Sequence, residues 1–553
     1  MNRFPFLLAA FLVVFAFEAK SQNKQAYSFN NLPIVKMPIF KTDTLSIVEY
    51  GAVNDGITLN TVSINKAITA CSKKGGGVVI IPAGMWLTGP IELKSNVNLH
   101  LQKNSLLQFT KDFDQYKLVE GNWEGLEQMR NQSPLWANNQ RNIAITGSGI
   151  IDGAGDVWRI VKKDKLTEMQ WKARIASGGM VNEEKKLWYP SVKTVKGAGM
   201  KDPGKISPEK TPEFYDSIKD FLRPNLLVLN NCKEILLEGV TFQNSPAWNL
   251  HPLLCEDLTV RNVYVKNPWY AQNGDGIDVE SCKNVLIEGS TFDVGDDGIC
   301  IKSGRDAAGR KRGIPTENVI IRNSTVYHAH GGFVIGSEMS GGARNIFVSD
   351  CTFIGTDIGL RFKTTRGRGG VVSDIYMQNI NMKDIVGEAI LFDMYYAAVD
   401  PIPLSGEKRE IPKVVLFPVT DETPVFKDFY ISNVVCDGAS KAVFIRGLPE
   451  LSISNIMLDN LTIKSKTGID IQEAKNVQIS RMYLQTELSS PLISIQNGNN
   501  IGFRNFVYPK AELLFKISGL NNSNIKVSDI NLTKVTRKAV FENGAKPDVL
   551  NLK

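Results

Sequence analysis

The chain has 553 residues, 43% hydrophobic and 22% charged, with 64 Lys and Arg against 57 Asp and Glu and a net charge of +7. That length suits one elongated repeat domain or two to three globular ones, and a mean hydropathy of −0.12 excludes a multi-span membrane protein. The small basic excess suits an anionic partner, but no basic cluster is interleaved with stacking aromatics, so nucleic acid is not expected.

At the start of the chain, Arg3 precedes an apolar run over residues 4–17, and Ala19-Lys20-Ser21 sets small residues at cleavage-site spacing. Residues 1–21 read as a secretory signal peptide, and residues 22–553 as a single exported domain, periplasmic or extracellular. The run is shorter than the ~20 residues a spanning helix needs, so no membrane span is expected. Residues 63–71 predict one amphipathic helix, with Ile64, Ala67, Ile68 and Cys71 on one face. Gly75-Gly76-Gly77 ends it, and Val78-Val79-Ile80-Ile81 starts the strands. Residues 160–222 are rich in Lys, Glu, Pro and Gly and carry Trp171, Trp188 and Tyr189. They predict a loop-rich insertion over one face of the molecule.

From about residue 225 the chain repeats itself. CKEILLEGVTF at 232–242 returns as CKNVLIEGSTF at 282–292, then as ENVIIRNSTV at 317–326 and RNIFVSDCTF at 344–353. Weaker copies begin near Asp374, Asp428, Asn455, Asn476, Asn500 and Asn524. The apolar residue after each Asn or acidic position falls at 235, 258, 285, 319, 346, 375, 429, 456, 477, 501 and 525. A unit of about 21–27 residues with longer insertions is a stacked solenoid. Its short Ile-, Val- and Thr-rich runs alternate with Gly or Asn at the corners, and no ten-residue helical period intervenes. The fold expected is all-β: a right-handed parallel β-helix, its open end covered by the N-terminal capping helix. The seven Cys (71, 232, 255, 282, 300, 351 and 436) form no disulfide framework. Cys232, Cys255 and Cys282 hold one place in successive copies and predict an internal thiol ladder. The tail from about 535 is expected to be irregular.

Four motifs lie on neighbouring coils: Asn273-Gly274-Asp275-Gly276, Gly295-Asp296-Asp297-Gly298, Ala329-His330-Gly331-Gly332 and Arg361-Phe362-Lys363. Asp275 and Asp296 are about one coil apart, so Asp275 is expected beside Asp296 and Asp297 at the surface. Carboxylates that close cannot all ionise, and one should be left as an acid. An acid beside a carboxylate base is the minimum for hydrolysing a glycosidic bond. His330, between two small residues, is expected at the site, whereas His328 is read as spacing. Arg361 and Lys363 alternate on one strand and face one side, where they suit a sugar carboxylate.

In this order the motifs resemble those of glycoside hydrolase family 28, the pectin-cleaving polygalacturonases. The strings YGAVNDG at 50–56, GGGVVIIP at 75–82 and GSGIIDG at 147–153 resemble the same superfamily, and the likeness spans roughly residues 45–535. It implies hydrolysis of α-1,4 galacturonosyl linkages in one inverting step, on an acidic polysaccharide such as pectin or galacturonan. Asp296 would be the general acid, Asp275 and Asp297 would hold and deprotonate the water, and His330 would tune the acid. Arg361 and Lys363 would bind the galacturonate carboxylate, with Asn273 and a Tyr, Tyr396 or Tyr395, completing the substrate site. No metal or cofactor is implied, and a monomer is expected. The departures (Gly274, Gly298, Ala329, Phe362) remove no charged group. The strings GSEMSGG at 336–342 and SGRDAAGR at 303–310 resemble the bacterial, exo-acting branch, in which insertions such as 160–222 and 304–314 would close one end of the cleft. A rhamnogalacturonan-specific galacturonidase of the same family is an alternative. A calcium-dependent pectate lyase on the same solenoid and a non-catalytic sugar-binding solenoid are the readings from other classes.

Overall fold

A computed structural model describes residues 27–396 and 415–552. The expected signal peptide lies outside the described residues. Two parallel sheets, of 23 and 14 strands, run along a right-handed β-helix. Each coil contributes to both sheets, many of them with two strands on the larger and one on the smaller, and one apolar core extends from Ile47 to Val527. The register follows the repeat read from the sequence. Ile235, Leu258, Val285, Val319, Ile346, Ile375, Phe429, Ile456, Val477, Ile501 and Ile525 stand opposite one another, coil upon coil.

The corner before each of these residues explains why the repeat is visible. Asn284, Asn318, Asn345, Asp374, Asp428, Asn455, Asn476, Asn500 and Asn524 all have φ between 51° and 60°. Asn and Asp tolerate that left-handed conformation better than other side-chain-bearing residues. Their side chains also bond along the stack: Asn318 Nδ2 donates to Asn284 Oδ1 at 3.0 Å, and Asn345 Nδ2 to Asn318 Oδ1 at 3.1 Å. The seven Cys are unpaired and buried. Cys232, Cys255 and Cys282 stack as expected, with the Cys255 amide donating to Cys282 Sγ at 3.3 Å.

The helix spans Thr61–Lys73, and its predicted apolar face is buried in the core. The strands begin earlier than expected, at Thr44–Ser46, which pairs with Gly77–Ile81. The tail is not irregular: Val535–Glu542 continues one sheet and Leu550–Leu552 the other. The polar, charged sequence there hides strands because no residue of these last strands is fully buried. Between Ile150–Asp152 and Leu227–Asn230 the insertion folds into a three-stranded antiparallel sheet and short helices, with its own small core at Val161, Trp171 and Trp188. A second excursion was not foreseen. Leu118–Trp123 and Leu126–Asn131 form an antiparallel hairpin standing off the smaller sheet. Among the described residues no helix is long and apolar enough to cross a membrane.

Candidate active site

The four motifs meet on the outer face of the smaller sheet. Ile277–Glu280, Asp297–Lys302, Gly331–Ile335 and Leu360–Lys363 are successive parallel strands there. In this register Ile277 lies opposite Ile299, and the Gly276 amide donates to the Asp297 carbonyl at 2.9 Å. Asp275 therefore stacks on Asp297, not on Asp296; corner length, which spacing alone does not give, sets the coil one residue longer than expected. One oxygen from each of Asp275, Asp296 and Asp297 lies within 4.8 Å of the others. The three are not together at the surface: Asp275 and Asp297 are 3% and 1% exposed. Asp296 alone presents a fifth of its side chain, 21%, to solvent.

Their charge states are set by different neighbours. Asp297 is gripped by Lys363 Nζ at 2.7 Å and Arg361 Nη1 at 3.3 Å. Burial works to raise its carboxyl, but these cations hold it far below the usual range. Asp296 accepts from two backbone amides: that of Asn273, one coil before it, at 3.2 Å and that of Asp297 at 3.0 Å. His330 Nδ1 lies 3.1 Å from its Oδ1. Burial again works upward, but His330 outweighs it and Asp296 sits below its ordinary value. Asp275 is raised well above it, by burial and then by the charges of Asp278 and Asp296. The expected raised carboxyl is present, but in the unliganded protein it is Asp275 rather than Asp296. Burial opposes the proton on His330, yet Asp296 and then Asp357, 3.8 Å from Nε2, keep its pKa above the ordinary value.

Arg361 and Lys363 face one side, as read, but both are buried and their first partner is Asp297. The Tyr396 ring lies over both cations, at 5.7 and 5.0 Å, whereas Tyr395 packs over Arg366 and Arg446. Tyr396 is thus the Tyr at the site. The Asn273 side chain is engaged by protein: Arg223 donates to its Oδ1 at 2.9 Å, and its Nδ2 reaches Glu124 at 3.4 Å. His328 points away, onto Asp293 at 2.9 Å.

Sequence reasoning passed over several groups. Asp278, fully buried, lies beside Asp275; Lys302 stands 3.5 Å from it and bonds Glu338 at 2.8 Å. Lys302 outweighs burial to hold Glu338 down to about 2. Asp357 was not singled out either. Each sits at an ordinary outward strand or corner position, and only its parity on the strand could have signalled it. Asp275, Asp296 and Asp297 form the one group of His, Cys, Asp and Glu among the described residues spaced to hold a metal ion. Two protein cations already occupy Asp297 and His330 occupies Asp296, so a divalent cation would enter against three positive partners.

Glu124 and Gly125, at the hairpin tip, latch onto the segment before helix Asp306–Arg312. Glu124 pairs with Arg305 at 3.3 Å and the Arg305 amide donates to the Gly125 carbonyl at 3.3 Å. Next to the tip, Trp123 stacks on Trp248 of the cleft floor, rings 6.2 Å apart and 12° from parallel. Trp248 is one coil before the carboxylates, since the neighbouring Asn249 amide donates to the Asp275 carbonyl at 2.9 Å. The hairpin therefore walls the cleft about one coil spacing, ~4.8 Å, from Asp275.

A sequence model described as "Glycosyl hydrolases family 28" matches residues 210–442, and one described as "Rhamnogalacturonase A/epimerase, pectate lyase-like" matches 44–202. Among solved structures, a hyperthermoactive exopolygalacturonase from Thermotoga maritima is similar at 30% identity and a TM-score of 0.63, over 86% of this chain and 93% of that one. A probable polygalacturonase of Vitis vinifera is 28% identical, over 76% of this chain and 74% of its own. An exo-poly-alpha-D-galacturonosidase of Dickeya chrysanthemi is 27% identical, over 79% and 70%.

Proposed function

Because the chain belongs to glycosyl hydrolase family 28 and is a pectin-degrading glycoside hydrolase, we propose that it removes single galacturonate residues from the ends of polygalacturonate or its oligomers, with inversion. The wall carries the exo reading. With Trp123 on Trp248 one coil from Asp275, the cleft on that side has room for about one sugar residue. The named exopolygalacturonases among its relatives support the same reading.

The carboxylates divide the work by exposure and partners. Asp296, the accessible one, protonates the leaving oxygen. In the free protein its proton is shared with His330; a bound galacturonate brings negative charge and excludes water, and both raise Asp296. Asp275, the most basic of the three once ionised, takes the proton of the attacking water. Asp297, kept ionised by Arg361 and Lys363, orients that water. Carboxyl groups this close would by spacing alone suit a covalent glycosyl intermediate. Asp297, however, has one oxygen on Arg361 and the other on Lys363, and Asp275 lies beneath it, so water is the better nucleophile. Tyr396 and the cations beneath it receive the galacturonate carboxylate. Export of the protein fits a polymeric substrate.

The experiment is proton NMR of hexagalacturonate cleavage from the first minute, with product lengths followed alongside. The β-anomer of free galacturonate, with no unsaturated product, is the expected outcome. An initial α-anomer would rule out inversion, internal cleavage products would rule out the exo reading, and unsaturated ends would identify a lyase.

A further inference from the structure

The hairpin does not end the groove. Behind it lies a cavity of about 450 Å³ between the hairpin and the outer face of the smaller sheet. None of Asp275, Asp296, Asp297 or His330 lines it; Trp123 separates it from them. Its walls include Arg130, Arg223, Arg312, Trp136, Asn225 and Val228. That size and mixture, an aromatic and apolar floor with a few convergent polar groups, is what a small-molecule site requires.

The charge in it is unusual. Arg130 is 6% exposed. Its guanidinium lies 3.7 Å from the Trp123 ring centroid and donates to the Arg223 carbonyl at 2.6 Å. Among the described residues no carboxylate comes within ion-pair distance of it; Glu124, itself paired with Arg305, acts on it only from farther away. Arg223 adds a second guanidinium over the same ring, at 5.6 Å. Arg312 is held by Glu280 at 2.6 Å; the cavity's own acids, Glu120 and Glu127, are exposed on the hairpin. A buried cation without a counter-ion in contact is costly unless an anion supplies one. A second polar group is also unmet: Asn225, 4% exposed, has no hydrogen-bond partner at Oδ1. The planar Arg130 guanidinium matches a carboxylate, while Arg223 is held by the Pro246 and Gln272 carbonyls and Asn273 Oδ1; Trp136 offers the aromatic surface a sugar ring packs on.

We propose that this cavity is a second, non-catalytic binding site for a carboxylated monosaccharide of the hexuronate class. The choice of a uronate rests on the reading of the catalytic site; the demand for a small anion rests on the cavity alone. The test is equilibrium dialysis of the full-length chain against labelled D-galacturonate, with D-galactose as the neutral control. Two equivalents of galacturonate per chain are expected and neither is matched by galactose, since both sites take the carboxylate. Arg130→Met removes the anion's partner, and Val228→Trp fills the floor without touching a charge; each should leave one equivalent. If Arg130→Met does not fold by circular dichroism, Val228→Trp decides. One equivalent in the parent, two retained in the folded variants, or equal binding of galactose at both sites would overturn the proposal. Because no turnover enters the measurement, a chain that fails to cleave polygalacturonate yet binds two equivalents would refute the exo-hydrolase reading and leave this one standing.

Discussion

In the proposed mechanism, His330 sets the pH at which Asp296 can deliver a proton. Its pKa is raised by Asp296 and Asp357, so it keeps its proton above the usual value of about 6.5. A raised pKa means the protonated pair is present at lower pH and is lost as pH rises, so kcat/KM should fall on an alkaline limb lying above that value. Asp357→Asn removes one of the two raising charges, and the limb should move to lower pH. A limb that stays in place would remove His330 from the proton path. The acid itself can be separated from the base by leaving group. Asp296→Asn should cost about 10²–10⁴ in kcat on oligogalacturonate, and far less on an aryl galacturonide whose phenolate departs without protonation. Equal losses on both substrates would make Asp296 something other than the acid. The motif residues were legible because Asp, His, Arg and Lys stand among Gly and Ala, where no core needs them. Asp278, Lys302 and Asp357 were not, because a polar residue on an outward strand position or at a corner is the commonplace case, and only the fold shows that this stretch of face is covered.

At the scale of the coil, the corner asparagines do two things at once. They occupy a left-handed backbone, and they bond to the coil above and below. Asn318 makes both bonds and is 7% exposed. Asn318→Ala should lose about 1–3 kcal/mol, from the partners left unsatisfied and from the loss of the tolerance Asn has for the left-handed region. Asn318→Gly should lose less, since it restores the backbone freedom and not the bonds; chemical unfolding of the two variants tests the order. That double duty recurs along most of the stack and helps hold the repeat anchors found in the sequence in register. The same reasoning explains the misplaced Asp275: anchors on the larger sheet fix the coils there, but the smaller sheet is reached through corners of varying length, and a one-residue difference decides which carboxylate lies above which.

Over the whole molecule, specificity lies in what is added to the solenoid. The hairpin, the 304–314 segment and the insertion are unlike the repeat, so the sequence marks the longer insertion as an interruption but carries no period from which to read its path. The hairpin was missed because its two strands are short, polar and antiparallel. Replacing residues 120–129 by a tight turn removes Trp123, Glu124 and Gly125 from the cleft and should add di- and trigalacturonate to the early products; exclusive monomer release by that variant would mean that something else closes the cleft. The stack of Cys232, Cys255 and Cys282 has a consequence for the history of the chain rather than its action. Once the coils are assembled these thiols are sealed from reagents, and an alkylating agent should label none of the seven until denaturant is added. Before assembly, the same neighbours are flexible, close in sequence and open to oxidant. Any bridge formed then would tie coils together in a geometry the finished stack does not use. Folding must therefore outrun oxidation, and refolding yield should be set by the reductant present in the first minutes rather than by the final buffer.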